Sequence, residues 1–240
     1  MTDFLLRYIK KAKFENKKLV AILLDPDKLP IDRIAEKINK INKQNVDILL
    51  IGGSLLFTNH LDNFVKEIKK HTIIPVILFP GNAMQISDQA DGILFLSLLS
   101  GRNPEFLIGN HIIAAPILNQ TDLEVLSTSY LLIESGRETT VSYISNTKPI
   151  PQDKPEIAMA TALAGKMMGH SLVYLDGGSG AMEPIPADLI SLVVQNVDNP
   201  VIVGGGIRSK EQMQNAFNAG ATLVVIGTAF ENNDEILNIL

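Results

Sequence analysis

The chain has no cysteine, which excludes disulfides and thiolate metal sites. It has no basic surplus: 21 lysines and arginines against 26 acids give a formal charge of −5. Nucleic acid wants a basic face, so that class of partner is excluded. No apolar run approaches the ~18 residues of a spanning helix. The opening "MTDFLLRYIKKAKFENKK" is too charged for a signal peptide. The expectation is a soluble cytoplasmic protein with at most transient membrane-surface contact. The four histidines (His60, His71, His111 and His170) lack ligand spacing, which leaves no histidine metal site. No Ser/His/Asp arrangement is readable. "GGSGAM" lacks the sixth-position glycine of a dinucleotide fingerprint, and no Walker A pattern occurs.

What is present is ordered. The 240 residues are 46% apolar and 20% charged, enough for a large core. Short β-branched runs alternate with helical patterns. Residues 19–24, 46–51, 74–79, 92–96, 173–175, 200–203 and 223–226 read as strands. The middle is ambiguous: 111–118 and 130–133 both look like strands, with room for only one in the main sheet. Ile34, Ile38 and Ile41 share one helix face, and Phe64, Val65 and Ile68 another. Pro155 opens a helix that Gly169 closes. Ser209 and Gln212 form a capping box ahead of Met213, Ala216 and Phe217.

Wholly apolar strands mark a parallel sheet buried on both faces. About eight βα units point to an α/β fold, a TIM (β/α)8 barrel, as a single domain over residues 1–240. A doubly wound sheet is the alternative. The connection over residues 80–91 is short for a crossover helix, so the third helix is expected to be missing or irregular.

Polar and small residues collect after the strands: "DPDK", "GGSLL", "FPGN", "LDGGSG", "VGGGIRS" and "IGTAF". Barrel active sites lie at that end. Gly204, Gly205 and Gly206, with Gly227 and Thr228, follow the last two strands, where backbone amides bind phosphate. Tight strand-to-helix turns are the competing explanation. Asp25 and Ser54 end neighbouring strands, and a carboxylate with a hydroxyl can hold Mg²⁺ that borrows phosphate oxygens. An Asx turn before Pro26 explains Asp25 equally well. The segment "SGRETTVSYISNTKPIP" is either a solvated loop or a clamp on a charged substrate.

Together "DPDK", "GGS", "YLDGGSGA", "VGGGIRS" and "IGTAFE" resemble the geranylgeranylglyceryl phosphate synthase family, which includes the bacterial heptaprenylglyceryl phosphate synthases. The resemblance implies a barrel without a regular third helix. It implies transfer of a long prenyl group from its diphosphate to the 3-hydroxyl of sn-glycerol 1-phosphate. Geranylgeranyl diphosphate is the expected donor, and a heptaprenyl chain is the alternative. It implies Mg²⁺ on Asp25 and Ser54, and glycerol phosphate held by Tyr174, Leu175, Asp176, Gly177, Gly178, Ser179 and Gly180. The phosphate falls to Gly204, Gly205, Gly206, Gly227 and Thr228, and Asp176 is the candidate base. Relatives form dimers or hexamers, so a homo-oligomer is expected. The chain departs from some relatives in carrying Leu23 for lysine, Asp176 for glutamate and Ser54 for threonine. A free aspartate, with a pKa of about 3.9, is a weak base. "ILFLSLLSG" and "HIIAAPIL" are the expected walls of a prenyl groove. A sugar-phosphate isomerase or lyase is the rival enzyme, but Lys28 is the one lysine at a strand end. A non-enzymatic binding module leaves the polar strand ends unexplained.

Overall fold

Eight strands of mostly Leu, Ile and Val pair in parallel and close on themselves. They are β1 (Leu19–Leu24), β2 (Ile48–Ile51), β3 (Val76–Leu78), β4 (Gly92–Leu98), β5 (Glu124–Leu132), β6 (Leu172–Asp176), β7 (Val201–Gly204) and β8 (Leu223–Ile226). The computed structural model describes residues 3–232 and residue 236. Closure is direct, with Ala21 of β1 in register with Ile48 of β2 and with Val225 of β8. Side chains alternate across each strand. Ala21, Leu50, Ile77, Leu94, Tyr130, Tyr174 and Ile202 fill the interior. Ile22, Leu49, Leu78, Leu131, Leu175 and Val203 face outward into the helical layer.

That layer contains α2 (Ile34–Ile41), α3 (Leu61–His71), α4 (Asn110–Leu118), α6 (Pro155–Met167), α7 (Ala187–Asn196), α8 (Lys210–Asn218) and α9 (Thr228–Asn232). A short α5 (Thr140–Ser145) lies in the loop after β5. Ahead of them α1 (Phe4–Phe14) turns Leu5, Ile9 and Ala12 into the interior core and plugs the bottom of the barrel. Its first amides need acceptors. Glu124, at the start of β5, supplies them: its two oxygens accept the Leu5 and Leu6 N–H groups, each at 2.7 Å.

The connection from β3 to β4 contains no helix, as its shortness requires. Turns hold it instead, with buried Gln85 as the tie. The Gln85 amide donates to the Gly53 carbonyl at 3.0 Å and accepts from Gly81 N–H at 3.0 Å. The loops after β2 and β3 are thereby locked together.

Two expectations are corrected. Residues 111–118 are not a strand but most of α4; the main-sheet strand is β5, and it begins at Glu124. A short isoleucine-rich run has no period that separates a strand from a helix with apolar surroundings. Here one side of the helix buries His111, Ala114 and Leu118, while Ile112, Ile113 and Ile117 stay exposed. The cap on α8 is split between two residues. Ser209 accepts from Gln212 N–H at 3.2 Å, but the Gln212 side chain accepts from Arg208 N–H at 2.7 Å, one residue earlier than a capping box requires.

Removing the Glu124 acceptors strands two largely buried donors. Glu124→Ala should lower the unfolding free energy by about 2–4 kcal/mol in denaturant titrations. A loss under roughly 0.5 kcal/mol would mean that α1 does not depend on this carboxylate.

Candidate active site

The top of the barrel opens into one cavity of about 520 Å³, lined by residues that follow each of the eight strands and by the inner side of α4. Asp25 stands at the end of β1. Its Oδ1 accepts Asp27 N–H at 3.0 Å, so the Asx turn is present, and its Oδ2 lies 3.4 Å from the Lys28 ammonium. Lys28 also bridges to Glu231 of α9 at 2.8 Å, and the two acids hold its pKa up against burial, which lowers it. Asp27 reaches across to the loop that carries Ser54. It accepts Phe57 N–H at 2.7 Å, Thr58 N–H at 3.2 Å and the Thr58 hydroxyl. Burial raises the Asp27 acid, but these donors outweigh it and hold the group below the usual carboxylate range.

Asp25 and Ser54 line the same cavity. Among the described residues no cluster of three or more His, Cys, Asp or Glu stands ready for a metal. One carboxylate and one hydroxyl are hard oxygen donors. That set fits Mg²⁺, which keeps several waters and takes substrate phosphate oxygens.

Asp176 ends β6 and points inward. It is 6% exposed, with one donor on each oxygen: Tyr130 O–H on Oδ2 at 2.6 Å and Gly178 N–H on Oδ1 at 2.8 Å. Burial pushes its pKa up, and the two donors pull back against that rise. It is therefore a stronger base than a free aspartate. Tyr130 and Tyr174 are both driven well above the ordinary tyrosine value, first by burial and then by the Asp176 charge. Beneath the carboxylate, Phe79 stacks on Tyr174 with ring centres 5.1 Å apart, and Tyr130 meets Tyr174 edge-on at 5.6 Å. All three rings line the cavity together with the carboxylate.

The glycine loops lie beside this carboxylate. Gly205 has φ +85°, and a Cβ there would stand 2.7 Å from Gly177 N, so the β6 and β7 loops approach only because the residue is glycine. Arg208 ties the same loops by donating to the carbonyls of Ala181, Met182 and Gly206. The Thr228 hydroxyl accepts Gly180 N–H at 3.3 Å, joining the β8 loop. Gly178, Ser179, Gly180, Gly205, Gly206, Gly227, Thr228 and Arg208 all line the cavity.

On the other side the cavity runs into an apolar groove. Ile93 and Phe95 of β4 line it, with His111, Ala114 and Leu118 of α4, while Leu96, Leu98 and Phe106 line the cavity from the barrel-interior side. Both segments expected as groove walls are there, one as strand β4 and the other as a helix. The irregular connection after β3 contributes Ala83 and Ile86. The polar segment after β5 is part loop and part roof. Thr140, Val141 and Ile144 of α5 line the cavity, and Tyr143 faces solvent. Arg137 lies against Gly180.

Most of the expected site residues therefore share one cavity. Leu175 does not: on a strand its neighbours face inward while it faces the helices. Gly177 and Gly204 pair with each other, N–H to carbonyl at 3.0 Å, and shape the wall through backbone. A Cβ on Gly204 would meet the Tyr174 hydroxyl at 2.5 Å. Sequence reasoning missed Tyr130, Phe79 and Arg208; Asp27 and Lys28 are turn residues, and their side chains also reach Thr58 and Glu231. Tyr130 carries no sequence signal of its own, because only the β5–β6 register places it beside Tyr174.

Comparison with known proteins agrees with this geometry. Geranylgeranylglyceryl phosphate synthase of Flavobacterium johnsoniae is 49% identical over 96% of this chain and 95% of its own. That of Thermococcus gammatolerans is 43% identical over 96% and 90%. The crystal structure of (S)-3-O-geranylgeranylglyceryl phosphate synthase from Thermoplasma acidophilum, in complex with its substrate sn-glycerol-1-phosphate, superposes with a TM-score of 0.92. It is 32% identical and covers 100% of this chain and 95% of its own. A family model matches residues 12–239, and the chain belongs to the PcrB family, among the geranylgeranylglyceryl phosphate synthases.

Proposed function

We propose that the protein is a Mg²⁺-dependent prenyltransferase that joins the 3-hydroxyl of sn-glycerol 1-phosphate to C1 of geranylgeranyl diphosphate. The observation that carries this is one cavity lined together by the glycine loops, by apolar residues of β4 and α4 and by the buried Asp176 carboxylate. The backbone amides of Gly205, Gly206, Gly227 and Thr228 take the phosphate. The tail lies in the groove between β4 and α4. Asp25 and Ser54 would hold Mg²⁺, which supplies charge neutralisation for the departing diphosphate. Asp176 accepts the hydroxyl proton as the new C–O bond forms and the C1–diphosphate bond breaks. The allylic C1 tolerates positive charge, so bond breaking can run ahead of attack. The exposed apolar side of α4, with Ile108 nearby, supports association of copies into a homo-oligomer. Among the described residues no helix is long and apolar enough to cross a membrane.

Incubation with Mg²⁺, labelled glycerol 1-phosphate and prenyl diphosphates of graded length should yield an organic-extractable product, best with geranylgeranyl. No product at any length would defeat the reading, and a heptaprenyl preference would move the donor.

Asp176 also links activity to stability. Its folded-state pKa lies above the unfolded value, so its favourable contribution is present at low pH and lost as pH rises through the folded value. At neutral pH Asp176→Asn should therefore unfold at a temperature no lower than the wild type. Its turnover should fall by about 10² or more. Unchanged turnover would remove Asp176 from the chemistry.

Ala114 lies 7% exposed on the groove side of α4. Ala114→Trp should raise the KM for geranylgeranyl diphosphate by about tenfold or more, with glycerol phosphate binding by calorimetry unchanged. An unaltered KM would move the tail out of this groove.

A further inference from the structure

Tyr130 and Asp176 lie 46 residues apart in sequence, on adjacent strands. In the β5–β6 register Tyr130 faces Tyr174 and Leu132 faces Asp176. The Tyr130 side chain thus rises from one step below the carboxylate, on the inward side. Its ring packs edge-on against Tyr174 at 5.6 Å and Phe79 at 6.0 Å, and its hydroxyl points to one partner. That partner is Asp176 Oδ2, at 2.6 Å.

We propose that Tyr130 is the positioning residue of the reaction centre, its hydroxyl holding the Asp176 carboxylate in the orientation that accepts the glycerol proton. The inference rests on Asp176 acting as the base. The geometry has three consequences. First, the carboxylate has a donor on each oxygen, Tyr130 on one and Gly178 N–H on the other, so rotation about its Cβ–Cγ bond breaks both. The remaining lone pairs are those available to a ligand in the cavity. Second, the phenol stays protonated across the working range, because burial and the Asp176 charge both oppose its ionisation. It donates throughout and takes no proton from substrate, so the glycerol proton goes to Asp176 alone. Third, the donor favours the ionised carboxylate that burial disfavours, and a base must be ionised to act.

The titratable groups against Asp176 are Tyr130 on β5 and Tyr174 on its own strand. Asp25, Asp27, Lys28, His111, Arg208 and Glu231 also line the cavity. Of these, Tyr130 alone donates a side-chain hydrogen bond to the carboxylate among the described residues.

Tyr130→Phe removes the hydroxyl and keeps the ring. It should lower kcat by about tenfold or more, with a smaller change in KM for glycerol 1-phosphate. The acid limb of the pH profile should move to higher pH, because a carboxylate that loses a donor is protonated more readily. A purely structural role would leave that limb in place. In an Asp176→Asn background the same change should cost little further, since Tyr130 acts through the carboxylate. Should Tyr130→Phe fold poorly, 3-fluorotyrosine at position 130 keeps packing and hydroxyl but donates more strongly. It should move the acid limb the other way, to lower pH. An acid limb and kcat unmoved by either replacement would overturn the proposal, as would an equal loss in the Asp176→Asn background. Full turnover of Asp176→Asn alone would instead overturn the role of the base, which keeps the two failures distinguishable.

Discussion

A carboxyl group inside an apolar barrel is tolerated only if hydrogen-bond partners replace the water it has lost. Asp176 is such a group, and much of the barrel mouth is arranged around it. The β5–β6 register delivers Tyr130 to one oxygen. The turn after β6 delivers Gly178 N–H to the other, and Gly178 has φ +83°, which glycine adopts without strain. Phe79, Tyr130 and Tyr174 pack their rings against one another, and both hydrogen bonds to the carboxylate are buried. Burial strengthens those bonds and also raises the basicity of the carboxylate they hold.

The two ends of the barrel use the same chemistry for different purposes. At the bottom Glu124 spends both oxygens on the amides of α1, and the contact closes the interior. At the top Asp176 accepts one donor per oxygen and still faces a cavity. Around it the work is divided by direction. The β6, β7 and β8 loops, tied by Arg208 and Thr228, offer backbone amides to an anion. The β4 strand and α4 offer hydrocarbon to a tail, beside the connection where no third helix fills the layer.

Much of this was legible in the chain, and the rest had physical reasons to be hidden. The alternation of apolar runs and polar strand ends reports a parallel barrel because strands buried on both faces must be wholly apolar. The short connection over 80–91 reported its missing helix by length alone. Helix α4 was hidden because "HIIAAPIL" is apolar on the groove side and on the exposed side, so no period marks it as a helix. Tyr130 was hidden because its meaning comes from a partner 46 residues away, and only the strand register brings them together. Leu175 was misplaced for the converse reason: it sits inside a motif, but a strand sends its neighbours to the opposite face. Asp27 and Lys28 resemble turn residues locally, and their reach to Thr58 and Glu231 is tertiary.

The central claim is that glycerol phosphate and prenyl tail meet over Asp176. A crystal structure with sn-glycerol 1-phosphate and an unreactive thio analogue of geranylgeranyl diphosphate measures it directly. The account predicts the glycerol 3-hydroxyl about 3 Å from the Asp176 carboxylate, with the allylic C1 on its far side and the tail between β4 and α4. A hydroxyl turned away from Asp176, or a tail lying outside that groove, would contradict it.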